Sequence, residues 1–185
     1  MLSEESNRTL RKIRSVDSNS DFYKINVPWT NEFVFKNIDL IENNYTLYPN
    51  RNRWNCNCHV IHDNDFDVPQ IDFAFLRTEY ERIVHEFCSI RNIKLKHISD
   101  IWYNYYKVGQ YQEPHIHEGG GYTVVHYMIF DEKNHSPTKF TDPKIVSPKV
   151  ESGDIIIFPS SYEHYVPSNI SGQPRLTIAF TIVLE

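Results

Sequence analysis

The stretch "GQYQEPHIHEGGGY" places His115 and His117 one residue apart, between a strand-like run and a glycine cluster. Side chains alternate along an extended chain, so both imidazoles point to one face. Such a pair is either part of a metal site or part of a crowded polar core. A third histidine, His164, follows in "GDIIIFPSSYEHYV", after an apolar strand that breaks at Pro159. Eleven residues later Arg175 enters the apolar terminal run "PRLTIAFTIVL". Burying a lone guanidinium is costly, so a carboxylate partner is implied, from the protein or from a ligand. A plain salt bridge would satisfy it, and so would two parallel charge-assisted bonds to a dicarboxylic co-substrate. Neutral imidazole suits iron, zinc, copper or nickel, and two or three protein ligands leave coordination positions open.

These residues need strands to hold them. "DIWYNYYKV" is aromatic, "YTVVHYMIF" is β-branched and aromatic, "DIIIF" is short and apolar, and "RLTIAFTIVL" closes the chain. Each is bounded by Gly, Pro, Asp or Asn, as strands are. Trp102, Asn104, Tyr106 and Val108 share one face of the first, and Arg175, Thr177 and Ala179 one face of the last. Gly109 and Gly153 mark turns. Before these strands the clearest helix is predicted, where Phe73, Leu76, Tyr80, Ile83, Val84 and Phe87 form one stripe. Asp72 can cap its start and Asn92 sits where it should stop. Phe22 to Tyr48 reads as one or two short strands, then a helix near Phe35–Asn43. Residues 49–70, dense in Asn, Asp and Pro, read as loop. The fold expected is mainly β with N-terminal helical elements, a sandwich or jelly roll. Residues 1–20 read as a polar tail, 21–95 as supporting mixed elements and 96–185 as the β core of one domain.

Composition narrows the functions. A chain of 185 residues with 40% hydrophobic and 23% charged residues can bury one substantial core. A net charge of −5 gives no basic footprint, so nucleic acid is not favoured as a partner. No run approaches the roughly 18 apolar residues of a membrane span, and the polar N-terminus does not read as a signal peptide. Three cysteines without a disulfide spacing pattern fit a reducing, cytoplasmic setting.

Order and spacing together carry a resemblance. "NYYKVGQYQEPHIH" fits Asn-x-Tyr-x-x-Gly, five residues, then His-x-(Asp or His). With the Gly-x-x-x-x-Phe-Pro strand before His164 and Arg-x-Thr after it, the region from Ile98 to Leu184 resembles the Fe(II)- and 2-oxoglutarate-dependent dioxygenases. The branch it looks most like is the small oxygenases of bacteria and phages related to prolyl hydroxylases. The resemblance implies a double-stranded β-helix (jelly roll, cupin-like), with Fe(II) and 2-oxoglutarate as cofactor and co-substrate. It implies His115, His117 and His164 as metal ligands, Arg175 with Thr177 on the far carboxylate of 2-oxoglutarate, and Asn104 and Tyr106 as further co-substrate contacts. His117 departs from the pattern, since most of the family carries Asp or Glu there; a three-histidine site, Glu118 or water would complete the set. The expected activity is hydroxylation of a peptide or protein side chain. A nucleobase substrate, or a three-histidine cupin without 2-oxoglutarate, is the alternative.

Four other features have plainer readings. His126 shares a face with Tyr122, Val124 and Met128 and reads as a hydrogen-bonded core histidine. Cys56, Cys58, His59 and His62 match no common zinc spacing. "EGGG" lacks the helix and Lys-Ser of a phosphate loop and reads as a rim beside the metal. Trp54 and Tyr162 are loop aromatics that could stack on substrate.

Overall fold

The computed structural model describes residues 11–14, 21–53, 55–117 and 121–185. Its frame is an antiparallel sheet of eight strands, with a second sheet of three strands facing part of it. The large sheet runs β1 (Arg11–Arg14), β2 (Asp21–Asn26), β9 (Asp154–Pro159), β7 (Tyr122–Ile129), β11 (Arg175–Leu184), β5 (Trp102–Tyr106) and β3 (His59–His62). β4 (Leu95–Ile98) pairs with the far end of β11. The small sheet runs β6 (Gln112–His115), β10 (His164–Val166) and β8 (Lys139–Phe140). This is the double-stranded β-helix that was expected.

Two helices, α1 (Thr30–Leu47) and α2 (Phe73–Arg91), precede the central strands. α2 starts and stops where its caps predict. Phe75 N–H donates to Asp72 Oδ1 at 2.9 Å, and Asn92 ends the helix in the left-handed conformation at φ 51°. α1 is longer than the segment predicted. Its stripe of Phe33 and Ile41 is interrupted by buried Asn44, whose amide donates to Pro69 O at 2.8 Å, and Phe35 is exposed.

Strand alternation sorts the large sheet into two faces. Tyr103, Tyr105, Val124, Met128, Ile155, Ile157, Leu176, Ile178, Phe180 and Ile182 join Leu76, Tyr80, Ile83, Val84 and Phe87 of α2 in the main core. The opposite face carries Val125, Tyr127, Ile156 and Phe158 into a smaller core with Phe22 and Phe140. Beyond that core, the same face carries Trp102, Asn104, Tyr106, Arg175, Thr177 and Ala179.

The structure differs from these expectations at four places. The span 49–70 is not all loop, because His59–His62 pairs with β5 as an edge strand. β4 and β8 were not anticipated, being four and two residues long. Arg11–Arg14, inside the expected tail, pairs with β2. β2 and β3 are strands of the main sheet, so the first half of the chain does more than support the second. Trp54 and Glu118 lie outside the described residues. At Gly121, φ is +107° and an added Cβ would lie 2.0 Å from Ile182 O, so this end of the glycine cluster packs against backbone that no side chain would permit.

Candidate functional site

β6 and β10 are antiparallel neighbours, with His115 directly opposite His164. Their ring centroids are 4.3 Å apart. His117 follows β6 by two residues, its N–H donating to Ser160 O at 3.2 Å, and its ring lies 5.1 Å from that of His115 and 5.2 Å from that of His164. One ligand nitrogen from each of the three falls within 4.8 Å of the others. Among the described residues no other group of His, Cys, Asp or Glu converges in this way.

Two of the rings are held by their own backbone. Nδ1 of His115 bonds Glu113 O, and Nδ1 of His164 bonds Tyr162 O, both at 2.8 Å. A carbonyl can only accept, so both Nδ1 atoms carry the proton and both Nε2 lone pairs are free to ligate. Burial, reinforced by the neighbouring His115, pushes His164 down to about 3 and His117 down to about 4. His115 is lowered by burial too. All three imidazoles are neutral near pH 7, the form that binds metal.

The co-substrate residues predicted from the sequence meet beside them. In the β5–β11 register Arg175 faces Tyr106, Thr177 faces Asn104 and Ala179 faces Trp102. All six line one narrow cleft of about 330 Å³ with His115, His117 and His164. Arg175 is 2% exposed, and none of Nε, Nη1 or Nη2 has a hydrogen-bond partner among the described residues. Its guanidinium lies 4.8 Å from the centre of the Tyr106 ring and 5.6 Å from that of Tyr127. Two π-faces soften the burial of a cation but cannot accept its N–H bonds in the plane. Beside these donors, Asn104 Oδ1 is a buried acceptor without a donor among the described residues. The plain salt bridge considered for Arg175 is absent among the described residues. A carboxylate-bearing ligand fits this place, and three neutral nitrogens beside it fit iron.

A wider groove of about 1090 Å³ opens outside the cleft and shares Trp102, Asn104, Gln112, His115 and His117 with it. Its outer wall comes from Arg53, Asn55, Cys56, Asn64 and Asp65, from Val60 and His62 of β3, and from Asp100. Ion pairs of Arg51 with Asp67 and of Arg77 with Asp63 tie this part of the chain down.

Several sequence candidates fall elsewhere. Val108 lies beyond β5 and is exposed, so it is not part of the cleft face. Tyr162 packs on Phe22 and Phe140 of the smaller core and reaches neither cavity. Cys56, Cys58, His59 and His62 do not converge: His59 Nε2 bonds Tyr48 O and His62 stacks on Trp102. The three cysteines are free. His126 is a core residue, as its face predicted, bonded to Thr30 Oγ1 and Tyr80 OH. Trp102 and Thr138 line the cleft but were not singled out. Trp102 had a signal, its parity with Asn104; Thr138 comes from an irregular segment and had none.

The fold and site define a class first: a double-stranded β-helix with a convergent histidine triad and a buried arginine that has no hydrogen-bond partner among the described residues. Residues 127–181 match the family described as "Putative 2OG-Fe(II) oxygenase", a span that holds His164, Arg175 and Thr177. The fold is similar to a Pseudomonas putida prolyl-4-hydroxylase, with TM-score 0.68, 10% identity, and coverage of 90% of this chain and 94% of that one. It is also similar to a prolyl hydroxylase from Trichoplax adhaerens in complex with a hypoxia inducible factor oxygen degradation domain peptide fragment (TM-score 0.63, 15% identity, coverage 88% and 83%). A viral collagen prolyl hydroxylase from Paramecium Bursaria Chlorella virus-1, in a 2OG complex, gives TM-score 0.58 at 16% identity, covering 91% and 98%. No curated protein matches. The matched segment is thus similar to the 2OG-Fe(II) oxygenases, and the fold of the chain is that of the prolyl hydroxylases.

Proposed function

We propose that this protein is an Fe(II)- and 2-oxoglutarate-dependent dioxygenase that hydroxylates a peptide or protein side chain, with His115, His117 and His164 holding the iron and Arg175 binding 2-oxoglutarate. The observation that carries the reading is the unpartnered Arg175 guanidinium, buried in the same cleft as the three imidazoles. Fe(II) with bound 2-oxoglutarate supplies the oxidation of a C–H bond by dioxygen, with succinate and carbon dioxide as co-products. The chain's own residues do the positioning. Arg175 takes the distal carboxylate through two parallel N–H bonds, and Thr177 adds its hydroxyl from the same strand. Tyr106, buried and pushed well above the ordinary tyrosine range, keeps its hydroxyl proton and donates to Gln112 Oε1 at 3.3 Å, closing the cleft floor. Asn104 turns an acceptor into the shared wall. The narrow cleft keeps water from the reacting face, as such chemistry requires.

The outer groove supports a polymer substrate, since it is wider than the cleft and opens on two of the three ligands. One of the similar folds, the Trichoplax adhaerens prolyl hydroxylase, is in complex with a peptide fragment. The acidic chain and the mixed charges of the groove argue against a polyanion. No described helix is long and apolar enough to cross a membrane, and three free cysteines suit a cytoplasmic setting.

The test is anaerobic. Fe(II) and then 2-oxoglutarate are added to apoprotein while a weak visible charge-transfer band is monitored. The band should form, and Arg175→Ala should lose it while still binding Fe(II). Binding of Fe(II) without a band would move the protein to the non-2-oxoglutarate cupin reading. For the substrate, aerobic incubation with peptide mixtures should add one oxygen atom to a peptide; modification of single-stranded oligonucleotides and not of peptides would overturn the peptide assignment.

A further inference from the structure

The three imidazoles are not held alike. His115 and His164 each have an Nδ1 bond to the carbonyl two residues earlier. Among the described residues, the His117 ring has no such bond. What it has is ring contacts, and the one outside the triad is Trp102, with centroids 5.7 Å apart at 38°. Trp102 is itself stacked on His62, 5.3 Å away at 23°. The register explains this, because His62 on β3 faces Trp102 on β5, and Trp102 faces Ala179 on β11. The small alanine leaves room for the indole between the two cavities, and Trp102 lines both.

We propose that Trp102, backed by His62, is the positioning residue for the third metal ligand, so that His117 is set by aromatic packing where the other two are set by backbone hydrogen bonds. The inference rests on the reading of the triad as the metal site. An imidazole without an N–H acceptor is free to turn about its side-chain bonds, and a flat partner restricts it to one plane. Groups that orient a ligand without touching the metal are typically worth about 10–100-fold in metal affinity. The same stack runs from the groove wall to the metal face, so His62 and Trp102 are also where an occupant of the groove would reach His117.

The experiment is a double-mutant cycle read on metal alone. Co(II) is titrated into apoprotein, and both the affinity and the visible ligand-field spectrum are recorded for wild type, Trp102→Leu, His117→Ala and the double variant. Trp102→Leu should weaken Co(II) about tenfold and change its spectrum toward that of His117→Ala, and the double variant should be no weaker than His117→Ala. Trp102→Phe, which keeps a flat ring, should restore most of the affinity and the wild-type spectrum. His62→Leu should give a smaller loss, and it keeps the test available if Trp102→Leu does not fold. The proposal is overturned if Trp102→Leu leaves the spectrum unchanged. It is equally overturned if Trp102→Leu weakens Co(II) by the same factor with His117 already removed, because the indole would then act on the fold and not on that ligand. Failure of the triad reading looks different: wild type would bind no Co(II), or His115→Ala and His164→Ala would bind it as tightly.

Discussion

Two large polar side chains are fully enclosed on opposite faces of the same sheet, and they are treated in opposite ways. His126, on the helix side, is 0% exposed and has both nitrogens used. Thr30 Oγ1 donates to Val27 O, so it accepts from His126 Nε2–H, and Tyr80 OH donates to Nδ1. The ring is neutral, satisfied and edge-on to Trp29 and Tyr80. Arg175, on the cleft side, is charged and has no hydrogen-bond partner at any of its three nitrogens among the described residues. Single buried atoms of Trp29, Asn44, His59 and Gln70 also lack a partner among the described residues, but each belongs to an uncharged side chain, whereas Arg175 lacks every bond that a full positive charge needs and that a carboxylate ligand would supply.

The comparison breaks first at Arg175. Arg175→Met should lower 2-oxoglutarate affinity at least a hundredfold, since two charge-assisted bonds are worth roughly 3 kcal/mol or more together. It should also stabilise the ligand-free protein by about 1–2 kcal/mol, because an unpaired buried charge is removed. Calorimetric titration and denaturation of the same variant check both. Unchanged 2-oxoglutarate affinity would sink the assignment. His126→Leu is the mirror experiment. It strands Tyr80 OH and Thr30 Oγ1 in the core and should destabilise by about 2–3 kcal/mol in urea titration, with Co(II) affinity unchanged. Stabilisation by this substitution would remove the contrast.

How much of this was legible depended on periodicity. β5, β7, β9 and β11 could be read because they are long or regularly bounded, and the parity of Arg175, Thr177 and Ala179 carried directly to the cleft. α2 could be read from its stripe and both caps. β3 could not, because its first three residues are all buried and a four-residue run without alternation among Asn and Asp has no strand signature. The triad was legible as spacing, since His115 and His117 are close in sequence and His164 follows a recognisable strand. The stack His62–Trp102–His117 was not, because His62 enters it through the pairing of β3 with β5, a contact between residues forty apart in the chain. Long-range register is what a single sequence hides best. The groove wall was hidden for the same reason.

The smallest effect is the most specific to His126. Burial holds its pKa down to about 3, against an ordinary value near 6.5. Between those values the unfolded chain takes up a proton that the folded one refuses. Stability is therefore full above about pH 6.5 and falls as pH is lowered, by up to about 1.4 kcal/mol per pH unit from this one ring. The triad histidines are also depressed and contribute in the same direction, so the raw slope cannot be assigned to His126. The comparison that can be assigned is wild type against His126→Gln, in which every other group cancels. Urea titrations between about pH 7 and pH 5 should show the two proteins converging in stability as pH falls, with the variant's slope shallower by about one proton. Parallel curves would mean that His126 takes its proton in the folded state, which its two hydrogen bonds, one donated and one accepted, leave no room for without Tyr80 turning its hydroxyl around.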